Sequence, residues 1–474
     1  MMQKRQISTL PEQFNLQFRQ ILTSLPSTDA TPRVALVFSG GLDSTALLDL
    51  LNQYAQRYPI HILVFHIHHG LSRNADAWLS HSQHSAQAYG YGFDSRRIHL
   101  EPDAESGLEA HARAGRYHAL GEMCQIHNIG LLLTAHHKDD VLETSLMNFF
   151  NGAGIFGMAG IDPIKTNFSL LKNQAVTLVR PLLQVSREQL ANYVELRKLK
   201  FVEDESNQDQ RFRRNLFRNT IIPQLRQAVP AMPENVARSI RHMQAGKRIL
   251  QAIAKDDFKQ CRGVMGLSLK ALQSLDADRL DNLLRYWMDL HQLSMPTLMQ
   301  LEELKSQMRT SKPDARVEIS LQSASFYLES GELVIAPRLP ASFEDQLLQR
   351  EFSWHGEAMI AFPEFFGRLH FKRAEYGLPE IILSKAELCL HFRRGGEILS
   401  LAGNRPGRDL KKQYQQMKIA YWQRKRLPLL SSEGKLLFAA GLGNNAKYSE
   451  AGGVCYQLSW ESDLMHLQMT DLKY

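Results

Sequence analysis

LVFSGGLDSTALLDLL, Leu36 to Leu51, decides the fold class of this chain. Val34 to Phe38 make a short apolar run of the kind a buried strand needs, and Ser44 to Leu51 carries apolar residues at helical spacing. Between them lie Ser39, Gly40, Gly41, Leu42 and Asp43. Adjacent glycines permit a sharp turn at positive φ and remove the side chains that would keep a ligand from the backbone amides. The free N–H groups and positive dipole end of the following helix face the same spot, so the pattern predicts a phosphate site. A carboxylate at Asp43 would repel that ligand unless a cation lay between them, which points to magnesium on a nucleotide polyphosphate.

The sequence holds no GxxxxGK[ST] and so has no Walker-type P-loop. SGGLDS instead resembles the PP-loop of the N-type ATP pyrophosphatases, which hold the pyrophosphate of ATP and transfer AMP onto a substrate. That resemblance implies ATP binding by Ser39, Gly40, Gly41, Leu42, Asp43 and Ser44, with Asp43 as the magnesium ligand.

The flanking chain agrees. Over the first 220 or so residues, short β-rich runs alternate with helical patterns: VALVF, IHILVFHIH, FDSRRIHL and IGLLLTAHH are each followed by an amphipathic stretch. Repeated β-then-α units predict an α/β fold with a doubly wound parallel sheet and ligands at the carboxyl ends of its strands. Ser39 to Asp43, His66 to Gly70 and His136 to Asp140 all fall at such ends. From about Val229 to Met308 the pattern is mainly helical, and RVEISL and ELVIAP read as a small sheet. PRLPASFEDQ, from Pro337, reads as a linker to a small α+β region, mostly β around one helix at Leu410 to Ile419. The expected domains are therefore 1–225, around the phosphate turn; 226–340, mainly helical; and 341–474, basic.

Composition limits the function classes. The chain has 474 residues, 44% hydrophobic and 22% charged, as expected of a soluble globular protein with two or three domains. No apolar run approaches the roughly 18 residues a membrane span needs, so a cytoplasmic protein without a membrane partner is expected. Cys124, Cys261, Cys389 and Cys455 stand singly, which suggests neither a disulfide framework nor a CxxC site. Net charge is +7, but Arg393 to Arg426 alone carries ten Lys or Arg against Glu397 and Asp409. This block includes Arg408, Lys411, Lys412 and Arg424 and is interleaved with Tyr414, Tyr421 and Trp422, the footprint of a surface that follows a phosphate backbone.

Two further segments carry chemistry. In TAHHKDDVLET, Thr134 to Thr144, a helix beginning near Asp139 would put Asp140 and Glu143 on one face, although acids at a helix start also serve as caps and dipole complements. His136 and His137 lie just before it, without the spacing of a zinc site. In DESNQDQRFRRNLFRNTIIPQL, Arg211, Arg213, Arg214 and Arg218 crowd together with no acid among them, a density suited to phosphate. Glu109 and Arg113, at helical spacing of four, read equally as a plain ion pair or as substrate contacts.

SGGLDS, HHGLS, the ExxARxxRY of Glu109 to Tyr117, AHHKDDxxET, the RPLLxVSR of Arg180 to Arg187 and DESNxDxxFxRNxxRNxxxP together resemble the tRNA(Ile)-lysidine synthetase family. The stretch RRGGEILSLAGNRPGRDLKKQYQQMKIAYWQRKRLPLL is similar to that family's last domain. The family usually opens a glycine-rich loop with an Arg-Gly pair, where this chain has Asn151 and Gly152. The resemblance implies an ATP-dependent ligase that adenylates the wobble cytidine of a CAU-anticodon tRNA(Ile) and then attaches free L-lysine at C2, acting as a monomer or homodimer. It implies catalytic roles for Asp43, Asp140, Glu143 and Arg214, an adenylate donor in His136, and substrate contacts from Glu109, Arg113, Arg218, Arg408, Lys411, Lys412, Trp422 and Arg424. Asp140 and Glu143 share the roles of base and ammonium anchor. Two alternatives stay open: a tRNA thiolase on the same fold, and a nucleotide-gated RNA-binding protein without catalysis.

Overall fold

The computed structural model describes residues 9–25, 31–68, 70, 72–98, 108–166, 168–173, 175–203, 205, 213–291, 293, 297–310, 317–320, 324–337, 348–385, 387–403, 406–417 and 419–462. It divides into two compact units, Met1–Gln251 and Ala252–Tyr474.

In the first unit, α1 (Leu10–Ser24) precedes an alternation of β1 (Arg33–Val37), α2 (Leu42–Ala55), β2 (His61–His68), α3 (Ala75–Ala88), β3 (Gly92–Arg97), α4 (Leu108–Ile126), β4 (Leu131–Leu133) and α5 (Lys138–Phe150). After α6 (Ile155–Met158) come β5 (Ile164–Lys165), β6 (Thr177–Val179) and α7 (Arg187–Leu196). The strand order is β3-β2-β1-β4-β6-β5, parallel except for β5 at the edge. Val34 and Leu36 of β1 pack into one core with Phe14, Phe18 and Leu47, while Ala35 between them packs into another with Leu120 and Met123. Burial on both faces is why the run is uniformly apolar rather than alternating. The sheet continues from β1 to β2 and β3 on one side and to β4 and β6 on the other, so a crevice opens at the carboxyl ends of β1 and β4. The loops Phe38–Gly41 and Thr134–His137 leave from those two ends.

The chain then runs through α8 (Arg213–Leu216), a π-helical turn (Phe217–Ile221), α9 (Ile222–Ala228) and the 30-residue α10 (Met232–Cys261), inside which the division at Gln251 falls.

The second unit opens with β7 (Leu267–Ser268), α11 (Leu269–Gln273), α12 (Ala277–Leu290), α13 (Leu298–Thr310), β8 (Val317–Ser320), β9 (Ala324–Glu329) and β10 (Glu332–Pro337). These form a four-stranded sheet, β7-β10-β9-β8, whose core holds Trp287 and Phe326. Most of the expected linker, 338–346, lies outside the described residues. Beyond it, Trp354, Phe365 and Tyr414 are among the fully buried side chains of a separate, mostly β core. The expected helix there is shorter than its pattern, Leu410–Gln416, capped by Asp409 accepting the Lys412 amide at 3.1 Å. Two more short helices accompany it, at Glu380–Lys385 and Tyr421–Arg424.

Candidate active site and nucleic-acid interface

The glycine turn has one position that demands glycine by conformation. Gly40 sits at φ +82°, and a Cβ there would come within 3.0 Å of Val202 and 3.2 Å of His81. Gly41 is the N-cap of α2 at φ −74°, so its lack of a side chain leaves space rather than relieving strain. The two expected uses of the glycine pair are thus divided, positive φ at Gly40 and the absent side chain at Gly41. The turn is held from beneath: the Val202 amide donates to the Gly40 carbonyl at 2.9 Å, the Ser44 hydroxyl donates to the Gly41 carbonyl at 3.0 Å, and the Ser39 and Ser44 hydroxyls lie 3.2 Å apart. Leu42 and Asp43 then begin α2.

Asp43 points toward the loop after β4. Its Oδ2 is 3.6 Å from Nε2 of His137, while its buried Oδ1 has no hydrogen-bond partner. His137, the N-cap of α5, is 1% exposed, with Nε2 also 3.5 Å from Asp140 and Nδ1 3.8 Å from Asp139. Burial alone would depress the His137 pKa, but the Asp43, Asp140 and Asp139 carboxylates outweigh it and raise the pKa above its usual value. His136 behaves oppositely. Desolvation, helped by Arg180, Arg214 and Arg113 and opposed by Asp140, lowers its pKa to about 3, so it is a neutral ring at physiological pH. Its Nδ1 lies 2.9 Å from the Thr134 hydroxyl.

Asp140 and Glu143 share a face of α5, and both are buried. Asp140 caps the helix by accepting the His137 amide at 2.8 Å through Oδ2, leaving Oδ1 for Arg214 at 2.5 Å and Arg218 at 3.0 Å. Glu143 receives Arg214 Nε at 3.1 Å and Arg218 Nε at 2.6 Å. Arg214 and Arg218 reach inward together because they stand four residues apart at the junction of α8 with the π-helical turn. Acid and base are thus locked as two carboxylates against two guanidiniums.

A cleft of about 800 Å³ opens beside this cluster, with Glu143 and Arg218 in its lining, apolar walls from Leu142, Leu183 and Ile222, and Arg226 also on its surface. Arg226 pairs with Asp139 at 2.7 Å, and Arg187 donates its amide to the same carboxylate at 2.9 Å. Arg113 lies over the Tyr117 ring at 5.1 Å. The side chain of Glu109 and all of Arg211 lie outside the described residues.

His137, Val202 and Arg180 are the residues that sequence reasoning passed over. His137 was legible only as the neighbour of His136, and Val202 carries no chemical signal. Arg180, buried and donating to the Asp162 carbonyl at 2.7 Å, stood inside RPLLxVSR without an assigned role.

The basic block is partly surface and partly core. Arg408, Lys411 and Lys412 are exposed, and Arg424 is half-buried with Nε donating to the Ile419 carbonyl at 2.6 Å. Arg405 and Lys418 lie outside the described residues. The aromatic residues depart from the expected open arrangement. Tyr414 is fully buried and donates to the Ala440 carbonyl at 2.9 Å. Trp422 is buried against Tyr327, rings 5.6 Å apart at 22°, with the buried Arg426 guanidinium 5.3 Å from its centroid. In this structure Trp422 is an internal packing residue, because β9 covers the face a base would need. Tyr421 remains exposed.

A glycine turn at the switch point of a parallel sheet, facing carboxylates from the next strand end, is the build of a PP-loop nucleotide domain, and the PP-loop domain family matches residues 10–225. The TilS substrate binding domain matches 267–333, and the TilS substrate C-terminal domain matches 388–460. The tRNA(Ile)-lysidine synthase of Burkholderia pseudomallei is 33% identical over 94% of this chain and 96% of its own length. That of Ralstonia nicotianae is 32% identical over 90% and 92%. The chain belongs to the tRNA(Ile)-lysidine synthase family. Among the described residues, no helix is long and apolar enough to cross a membrane.

Proposed function

We propose that this chain is an ATP-dependent tRNA-modifying ligase that converts the wobble cytidine of a CAU-anticodon isoleucine tRNA to lysidine. The observation that carries the reading is the junction of two sites: the anion turn at Ser39–Ser44 lies one histidine away from the buried cluster of Asp140, Glu143, Arg214 and Arg218. In the first step the cytosine O2 attacks the α-phosphorus of ATP, an O–P bond forms, and pyrophosphate leaves into the glycine turn. In the second, the lysine side-chain amine attacks C2, the C2–O bond breaks, AMP departs and the amine gives up its proton.

Magnesium fits Asp43, whose Oδ1 is buried without a protein partner. Bound there, the ion would offset the charge of the pyrophosphate. The neutral His136 and the Arg214 guanidinium supply donors to the adenylate. An incoming phosphate competes with Asp140 and Glu143 for Arg214, and a carboxylate released in this way becomes available to the lysine ammonium. The nearby cleft, with apolar walls, Glu143 in its lining and Arg226 on its surface, suits a lysine side chain and its α-carboxylate. A free lysine amine has a pKa of about 10.4, so deprotonation at pH 7 costs roughly 4.6 kcal/mol, which a carboxylate base offsets. Arg113 and Arg218 serve as substrate contacts in the site, as do Arg408, Lys411, Lys412 and Arg424 on the basic block.

The test is incorporation of labelled lysine into bulk tRNA, with pyrophosphate release followed in parallel. One lysine per pyrophosphate supports the reading. Sulfur incorporation would favour a thiolase, and tRNA binding without pyrophosphate release would leave only a binding protein.

A further inference from the structure

The helix that carries Asp140 and Glu143 ends on an unusual surface. At its last turn Phe149 is 57% exposed and Phe150 62%, and just beyond it Ile155 and Phe156 are 40% and 37% exposed. Scattered apolar side chains on a surface need no explanation, but four large ones within eight residues form a patch. The patch is tied to the site. The Phe150 ring lies 5.8 Å from that of Phe217, whose neighbour in sequence is Arg218. Arg213, exposed, donates to Asn151 Oδ1 at 3.0 Å, which places a guanidinium beside the exposed rings. Gly152 to Gly157 spells GxGxxG, but it follows a helix rather than a strand and is not a dinucleotide loop.

The surrounding charge selects the occupant. From Thr144 to Ile161 there is no acidic residue. α10 passes alongside, with Ile155 reaching to 3.8 Å of the Cβ position of Gly246, and its sequence carries no acid between Glu234 and Asp256 while including Arg238, Arg241 and Arg248. Exposed aromatic rings among arginines, with the nearby Asp162 already paired to Lys247 at 2.7 Å, are the chemistry of a surface for unpaired bases, which stack on the rings while phosphates meet the guanidiniums. The distance also fits. Ten residues of α-helix from Asp140 to Phe150 span about 15 Å, or roughly four stacked nucleotides.

Building on the proposed function, we infer that Phe149, Phe150 and Phe156 form a stacking platform for unpaired anticodon-loop bases flanking the cytidine that enters the active site. Asn151 accepts from Arg213 and so holds that guanidinium at the edge of the rings.

The test uses the full chain and an anticodon stem-loop with 2-aminopurine at loop positions beside the target cytidine. Binding should quench the probe. Phe149→Leu/Phe150→Leu, which keeps apolar surface but removes the rings, should abolish the quench and weaken stem-loop binding about tenfold or more, with the KM for ATP unchanged. Phe149→Tyr/Phe150→Tyr should restore both. A leucine variant that binds and quenches like the parent would overturn the platform, as would a parent that self-associates through this patch and loses that association when it is changed to serine while RNA affinity stays the same. Quenching in a parent that never releases pyrophosphate would retain the platform and reject the proposed reaction, so the two failures are distinct.

Discussion

The Arg218 guanidinium holds both oxygens of Glu143, Nε to Oε1 at 2.6 Å and a terminal nitrogen to Oε2 at 2.9 Å. On the proposed reading, this carboxylate acts as a base once an anion draws the arginines off, so lysine activation is expected to follow adenylation. Glu143→Gln keeps the shape and loses the charge. It is expected to consume ATP once per tRNA and accumulate adenylated tRNA in a single-turnover assay, while forming lysidine slowly. Raising the pH should restore part of the rate by supplying neutral lysine. A variant already blocked at pyrophosphate release would move Glu143 into the nucleotide site.

Asp43 separates function from stability. Its buried Oδ1 makes no hydrogen bond, and Asp43→Asn removes one of three carboxylates around the buried His137, leaving Asp140 and Asp139. The expected result is a Tm lowered by only a few degrees, with magnesium-dependent pyrophosphate release lowered by about 100-fold or more. Calorimetry beside a pyrophosphate assay checks both, and undiminished release would remove Asp43 from its assigned role.

Asp49, 1% exposed in the middle of α2, accepts from Tyr89 at 2.9 Å, from Tyr193, from Gln53 at 3.0 Å and from Arg197 at 3.2 Å. Burial pushes its pKa up, but the four donors outweigh it and hold the pKa below the usual carboxylate value. Stability from this group is therefore present above about pH 4 and lost as pH falls through the lowered native value. Asp49→Asn should cost about 2 kcal/mol at pH 7, and the gap between parent and variant should close on acidification below pH 4. A gap independent of pH would show that packing, not charge, is the source.

Arg408, Lys411 and Lys412 are exposed on the basic block. If they follow phosphates, replacing all three by alanine should reduce the slope of log K against log[salt] for tRNA by about 2 to 3, since each phosphate contact contributes about 0.9. Equal slopes would place the tRNA contact elsewhere.

The parts of the site that were legible in the sequence are the ones encoded locally. Ser39 to Ser44 can be read because a strand, a glycine pair and a helix start are adjacent in the chain, and Asp140 with Glu143 because helical spacing alone puts them on one face. What escaped depends on distant partners. Trp422 and Tyr414 look the same in a basic segment whether they face solvent or core, and the decision is made for Trp422 by Tyr327, nearly a hundred residues earlier. Asp49 looks like a flaw in an apolar helix until Tyr193 of α7 and Arg197 just beyond its end arrive. His136 and His137 are indistinguishable in sequence, and only the fold gives one of them three carboxylates and the other a ring of arginines.

The pairing of Trp422 with Tyr327 gives the second unit an optical gauge of its own. The indole belongs to the region after residue 348 and the phenol to β9, so their overlap at 5.6 Å exists only while those two regions stay docked. A buried indole with no partner for its N–H emits toward the blue, and parting the rings would admit water and move that emission to the red. Because Trp78, Trp287, Trp354 and Trp460 also emit, docking of these regions is read as the difference in emission between the parent and Trp422→Phe.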